Sequence, residues 1–169
     1  MYPCWMDYID QDPGNCSIGR SLELLAQPWM LLILREVSRG VGRFADIQYR
    51  LDVSRSVLTD RLDQLVSTGV LAKVPYQEAG QRRRHQYILT EKGNDLMPVL
   101  TALRQWGDKY LADPEGPSVI NTHAGCGAPV GVAYVCAAGH RLADPAETER
   151  QPGPSAHLLQ HAPSTTAKG

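Results

Sequence analysis

Several absences narrow the possibilities for this chain. No apolar run in its 169 residues approaches the ~20 residues that a membrane-spanning helix needs. The opening MYPCWMDYIDQDPGNCS has neither a basic start nor an apolar core, so it does not read as a secretory signal. A cytoplasmic location is the expectation. In that setting the four cysteines are expected as thiols, redox sensors or metal ligands rather than structural disulfides. No glycine-rich phosphate loop, no Ser–His–Asp arrangement in a recognisable setting and no carboxylate pair in an evident cleft can be found. An enzyme is therefore not expected. There is no internal repeat, and a strong charge of one sign is also missing, the net being -1.

That small net charge conceals an asymmetry. From Arg39 to Lys92 there are ten Lys/Arg against six Asp/Glu, and the rest of the chain is acidic. A basic segment on an acidic chain confines attraction for phosphate to one face. Three of those charges, Arg82, Arg83 and Arg84, are consecutive.

Hydrophobic residues make up 43% of the chain, enough for a real core, and its length fits one domain of about 100–150 residues with extensions. Residues 1–15 mix Pro3, Pro13 and Gly14 with acids and aromatics and predict an irregular arm. Ser17 can cap a helix on which Ile18, Leu22 and Leu25 keep helical spacing. Pro28 suits the first turn of a second, largely buried helix, PWMLLILREVSRG, ending at Gly40. Phe44 to Leu51 predicts a short third helix. Ser54 caps a fourth that carries Leu58, Leu62 and Leu65 on one face and stops at Gly69.

Val70–Tyr76 and His85–Thr90 then read as a strand pair joined by the loop QEAGQRRR, centred on Gly80. Thr90-Glu91-Lys92-Gly93 opens a long helix to about Leu111, with a kink or a delayed start near Pro98. After Asp113-Pro114-Glu115-Gly116-Pro117 the composition changes. Ser118–Thr122 and Val130–Cys136 are β-prone, making residues 118–143 a small β extension. From Asp144 to Gly169, Pro, Ser, Thr, Ala and charge dominate and predict disorder.

The fold class expected is α+β, mostly α, with two short helices across a tight turn followed by a basic hairpin. That is the plan of a winged helix-turn-helix. On the fourth helix Arg55, Ser56, Thr59, Asp60 and Asp63 remain outside the apolar face. A recognition helix points its N-terminal residues at base edges in the major groove, so Arg55, Ser56 and Thr59 are the candidates for base contact. Ser54 and Arg61 are candidates for phosphate, and Asp60 for an ion pair with Arg61 or a hairpin arginine. In the wing, Arg82, Arg83, Arg84 and His85 can reach the backbone or a minor groove, and Arg43 a flanking phosphate.

The sequence resembles the HxlR-type group of MarR-like winged-helix regulators. The resemblance rests on Cys16, on PWMLLILREVSRGVGRF, on SRSVLTDRLDQLVSTGVL, on YILTEKG and on LMPVLTALRQWGDKYL, and covers about residues 16–112. One departure is the short turn Leu51-Asp52-Val53-Ser54, where many relatives carry an extra Pro-Gly. The resemblance implies a homodimer on a palindromic operator, with the helix that bears Leu96, Leu100, Leu103, Trp106 and Tyr110 at the dimer interface. The residues support a dimer independently: one recognition helix covers a half-site, and two half-sites lie about 34 Å apart.

Three features bear on what such a protein senses. Cys16 lies at a helix N-terminus, which stabilises a thiolate, and the resemblance implies that a cysteine here responds to oxidants or electrophiles; Cys4 is a candidate resolving thiol. A groove near Trp29, Trp106 and Tyr110 is a candidate for a planar small-molecule effector. His123-x-x-Cys126 and Cys136-x-x-x-His140 have the spacing of a zinc site. Similar extensions keep HxxCG…CxxCG, however, and the second half here is CAAGH, so a metal-free extension with no cofactor is the expectation. The competing reading of the whole chain is a protein–protein interaction module, for which the wing arginines have no use.

Overall fold

A computed structural model describes residues 12–80 and 82–157. The chain forms two compact units. One comprises residues 28–142; the other brings together the two chain ends, described over 12–27 and 143–157.

The larger unit starts with helix α2 (Met30–Ser38), the first helix of the chain, α1, being Ser17–Leu25 in the other unit. Met30, Ile33, Leu34 and Val37 of α2 are buried, as a dense apolar run requires. Pro28 does not occupy its first turn. Trp29 stands at the N-cap with φ 77°, a left-handed conformation that no helical residue adopts, so the helix begins after it. Gly40, φ 84°, ends the helix in the manner of a left-handed cap.

Helices α3 (Phe44–Leu51) and α4 (Arg55–Ser67) follow, separated by a turn in which Asp52 takes φ 48°. Asp is one of the few residues that enter this region at modest cost. Ile47 and Leu51 of α3, Val53 of the turn, and Leu58, Leu62 and Leu65 of α4 close the core. Ser54 caps α4 by accepting from the Val57 N–H, and Gly69, φ 73°, terminates it.

Strands β1 (Leu71–Tyr76) and β2 (Arg84–Leu89) form an antiparallel hairpin, registered from Leu71 opposite Leu89 to Tyr76 opposite Arg84. Arg84 is thus a strand residue and not part of the loop. A further strip of backbone joins them: Tyr87 N–H donates to the Gly42 carbonyl at 2.7 Å, and Arg43 bridges to Gln86. A side chain at Gly42 would collide with the Tyr87 carbonyl, so glycine permits this approach.

The long helix expected after Thr90 is broken into α5 (Glu91–Asn94) and α6 (Met97–Tyr110), and Pro98 lies in the first turn of α6. Proline tolerates that position because its missing N–H has no intrahelical partner there. In the extension, Ser118–Thr122 forms no strand beyond a bridge from Thr122 to Pro129. The expected Val130–Cys136 strand contracts to β3 (Tyr134–Val135), whose partner is the downstream β4 (Arg141–Leu142). The glycine-rich turn allows only one pairing step, and Gln105 of α6 takes the Val132 N–H instead, at 2.8 Å.

In the smaller unit, α1 follows a 3-10 turn at Pro13–Asn15. Cys16, not Ser17, is its N-cap, and it makes no side-chain cap bond. Composition predicts disorder from Asp144, but residues 144–157 hold a 3-10 turn, Pro145–Glu147, closed by a capping box between Asp144 and Glu147. Asp12 N–H also donates to the His157 carbonyl at 2.9 Å, and the Asn15 amide bonds the Ser155 carbonyl. These bonds satisfy backbone groups that composition alone leaves to water. Residues 1–11 of the expected arm, Cys4 with them, and 158–169 of the expected tail lie outside the described residues.

Candidate nucleic-acid interface

Capping and burial on one side determine what α4 presents on the other. Leu58, Leu62 and Leu65 are completely buried, which leaves Arg55, Ser56 and Thr59 exposed on the first two turns. The Arg55 guanidinium lies over the ring of Phe44, the first residue of α3, at 5.1 Å from its centroid. A cation held over an aromatic face loses part of its rotamer freedom before any ligand arrives. Thr59 Oγ donates to the Arg55 carbonyl at 2.9 Å, and the Ser54 and Ser56 hydroxyls are 3.4 Å apart.

Arg61 behaves differently from its neighbours. It is half-buried, and its Nε donates to the Pro28 carbonyl at 3.2 Å, tying α4 to the segment before α2. Asp60 is exposed and, among the described residues, makes neither of the ion pairs expected of it.

In the hairpin Arg82, Arg83, Arg84 and His85 are all exposed, and among the described residues none of them enters an ion pair. Gly80 turns the loop with φ 75°. Arg43, expected to face a flanking phosphate, is engaged at the base of the wing. Its guanidinium contacts Glu78 at 2.6 Å and covers the Tyr76 ring at 4.7 Å. Position explains this: Arg43 stands at the N-cap of α3, where the backbone already bridges to Gln86 of β2.

The segment Thr90-Glu91-Lys92-Gly93 has a structural explanation. Thr90 Oγ accepts from the Gly93 N–H while donating toward the Gly69 carbonyl at 2.6 Å. Lys92 Nζ reaches the Thr68 carbonyl at 2.8 Å. A Cβ at Gly93 would strike the Val70 carbonyl. Thr90, Lys92 and Gly93 thus stitch the start of α5 to the corner between α4 and β1.

Pattern reasoning missed the acid beneath this surface. Glu36 of α2 is 1% exposed and binds three arginines: Arg35 at 2.7 Å, Arg39 at 3.8 Å and Arg50 of α3. Burial pushes its carboxyl up, but the hydrogen bonds and charges of Arg50 and Arg35 outweigh burial and hold it below the ordinary 4.5. A Glu among apolar residues was the available signal, since a buried carboxylate requires partners.

On α6, Leu103, Trp106 and Tyr110 are exposed, Trp106 by 55%, with the two rings 5.5 Å apart. Leu100 and Leu96 are half-buried, and Leu96 is the N-cap of α6. A groove of about 480 Å³ runs between α2, α6 and residues 118–121; none of Trp29, Trp106 and Tyr110 lines it. In the extension His123 Nδ1 stands 3.2 Å from Cys126 Sγ, but no group of three or more His, Cys, Asp or Glu among the described residues is placed to hold a metal ion. Cys136 and His140 sit apart in their own turn, closed by Cys136 N–H to the His140 carbonyl at 3.0 Å.

The family model for an HxlR-like helix-turn-helix matches residues 24–115, a span that holds α3, α4, the wing and α6. The chain belongs to the HxlR-like family. It is 43% identical over 120 residues to an HTH-type transcriptional regulator of Mycobacterium tuberculosis, covering 71% of this chain and 75% of that one. Its fold resembles the crystal structure of PA1607, a candidate transcription factor, with TM-score 0.72 and 32% identity over 83% of this chain and 96% of that one. A second candidate factor, PA1374 from Pseudomonas aeruginosa, gives TM-score 0.57 and 34% identity, covering 84% and 95% of the two chains. Like its HxlR-like relatives, the chain is a transcriptional regulator of helix-turn-helix type and not an enzyme. Among the described residues no helix is long and apolar enough to cross a membrane.

Proposed function

We propose that this HxlR-like regulator is a homodimeric repressor that binds a palindromic operator in double-stranded DNA in the cytoplasm and releases it on thiol modification or on binding a small molecule. Residues 16–112 form its DNA-binding and dimerisation domain. The observation that carries the reading is the pairing of two surfaces: Arg55, Ser56 and Thr59 exposed on the first turns of α4, and the exposed Arg82, Arg83 and Arg84 on the hairpin that follows it. Arg55, Ser56 and Thr59 read base edges. The hairpin arginines and His85 hold phosphate or enter the minor groove, raising affinity without naming a sequence. Ser54 contributes a phosphate contact beside its capping role. Arg43 and Arg61 serve mainly to brace the wing and α4, given the bonds they already make.

The exposed face of Leu103, Trp106 and Tyr110, with Leu96 and Leu100 at its margin, supports self-association through α6. Cys16 supports thiol control: it stands at the N-cap of α1, is partly exposed, and is a free thiol among the described residues.

A mobility-shift assay on the upstream region of the protein's own gene tests the DNA reading. Binding is expected for the native chain and is expected to be lost when Arg55, Arg82, Arg83 and Arg84 are replaced by Ala. Retained binding in that variant overturns the contact assignment. For the thiol, Cys16→Ser is expected to remain on DNA in diamide; unchanged release would remove Cys16 from the mechanism.

A further inference from the structure

We infer that the groove between α2 and α6 is an effector site for a small organic anion with an apolar body, and that Glu36 transmits its occupancy to the helix-turn-helix. The inference rests on the regulator reading above and specifies its ligand control. At about 480 Å³ the groove has the size of a small-molecule site. Leu32, Leu100 and Val119 supply apolar wall, while Arg35, Arg39 and Arg104 line the same space.

The charges in the groove are out of balance. Asp108 is the one carboxylate on the lining among the described residues, and its oxygen is 3.7 Å from Arg104 Nε, too far for a hydrogen bond. That Nε is buried and has no hydrogen-bond partner among the described residues. A buried N–H without an acceptor is costly, and an anionic oxygen is the group that would satisfy it. On the opposite wall Arg35 and Arg39 share a single carboxylate, Glu36, with Arg50. Three guanidiniums therefore face the groove against Asp108 within it and Glu36 behind it. The remaining positive charge selects an anion over a neutral ligand of the same shape.

The connection to DNA follows from the same bonds. Arg35 donates to Glu36 at 2.8 Å on one side, and Arg50, on the first helix of the helix-turn-helix, binds Glu36 on the other. An anion drawing Arg35 and Arg39 into the groove takes partners from Glu36 and leaves its charge on Arg50 alone. This changes the tether between α2 and α3 without any ligand contact to α3.

The test uses the full-length protein and two fluorescent probes of shared skeleton: 1-anilinonaphthalene-8-sulfonate, an anion, and N-phenyl-1-naphthylamine, which is uncharged. The sulfonate is expected to bind one per protomer, at least tenfold tighter than the amine. Arg104→Met is expected to weaken the sulfonate at least tenfold and leave the amine within twofold. Val119→Trp, which fills the groove, is expected to exclude both and keeps the site testable if the arginine variant does not fold. Sulfonate affinity unchanged in both variants, or equal affinity for both probes, overturns the site. Operator binding is followed in parallel by anisotropy. A native chain that binds no operator refutes the regulator reading, while the fluorescence titration still decides the site. Operator retained at saturating sulfonate overturns the transmission through Glu36.

Discussion

The guanidinium of Arg55 rests on the ring of Phe44, so the first residue of α3 positions the first residue of α4. The arginine proposed to read bases is thereby partly ordered by the preceding helix. Phe44→Leu keeps apolar volume and removes the aromatic face. A cation–π contact of about 0.5–1 kcal/mol predicts a loss of operator affinity of roughly two- to fivefold with little change in Tm, read by fluorescence anisotropy at fixed salt.

Among the described residues the wing arginines enter no ion pair, and as the proposed phosphate ligands they give a salt-dependent prediction. Replacing Arg82, Arg83 and Arg84 by Ala predicts weaker binding to specific and random DNA alike. The slope of log affinity against log salt should become shallower by about 0.9 for each phosphate that is no longer neutralised. Arg55→Ala should instead compress the difference between operator and random DNA, by about 1–3 kcal/mol. Titrations at several salt concentrations separate the two.

Glu36 predicts a pH dependence of stability. Its carboxyl is held below the ordinary 4.5 in the fold, so the stability it contributes is fully present above that value. The contribution is lost as pH falls through the lowered folded value, because the unfolded chain takes up the proton first. Glu36→Gln should cost about 1–2 kcal/mol at neutral pH, a charge-assisted network discounted for partially exposed arginines. Thermal melts from neutral to acidic pH should show the gap between native and variant narrowing below about 4.5.

The exposed face of α6 predicts that Leu103→Glu with Trp106→Glu yields a monomer by light scattering. Loss of bivalent engagement should lower operator affinity by about a hundredfold or more. Each isolated protomer should keep its melting transition, since neither side chain is part of the buried core.

The helix-turn-helix was legible because its signals are local. Leu58, Leu62 and Leu65 repeat at helical spacing, Ser54 and Thr90 cap, and Gly69 and Gly80 take the positive φ that stops and turns require. What stayed hidden depends on partners distant in sequence. Glu36 meets Arg50 fourteen residues on. Arg43 pairs with Glu78 and covers the ring of Tyr76, across the hairpin. The Gly42–Tyr87 pairing joins segments that no single hydrophobic period connects. The chain-end bonds of Asp12 and Asn15 lie beyond any composition rule for the same reason.

Thr90, Lys92 and Gly93 bind α5 to the corner between α4 and β1, and the helical run is interrupted at Asp95 and Leu96 before α6 begins. The helix-turn-helix and the first turn after the wing are thus tied together by these contacts, and the interruption is the joint to α6. In a dimer joined through α6, a change of angle at that joint would alter the pitch between two recognition helices while leaving each one intact. Operator choice would then be a matter of gauge, with the protein losing its site by standing at the wrong width.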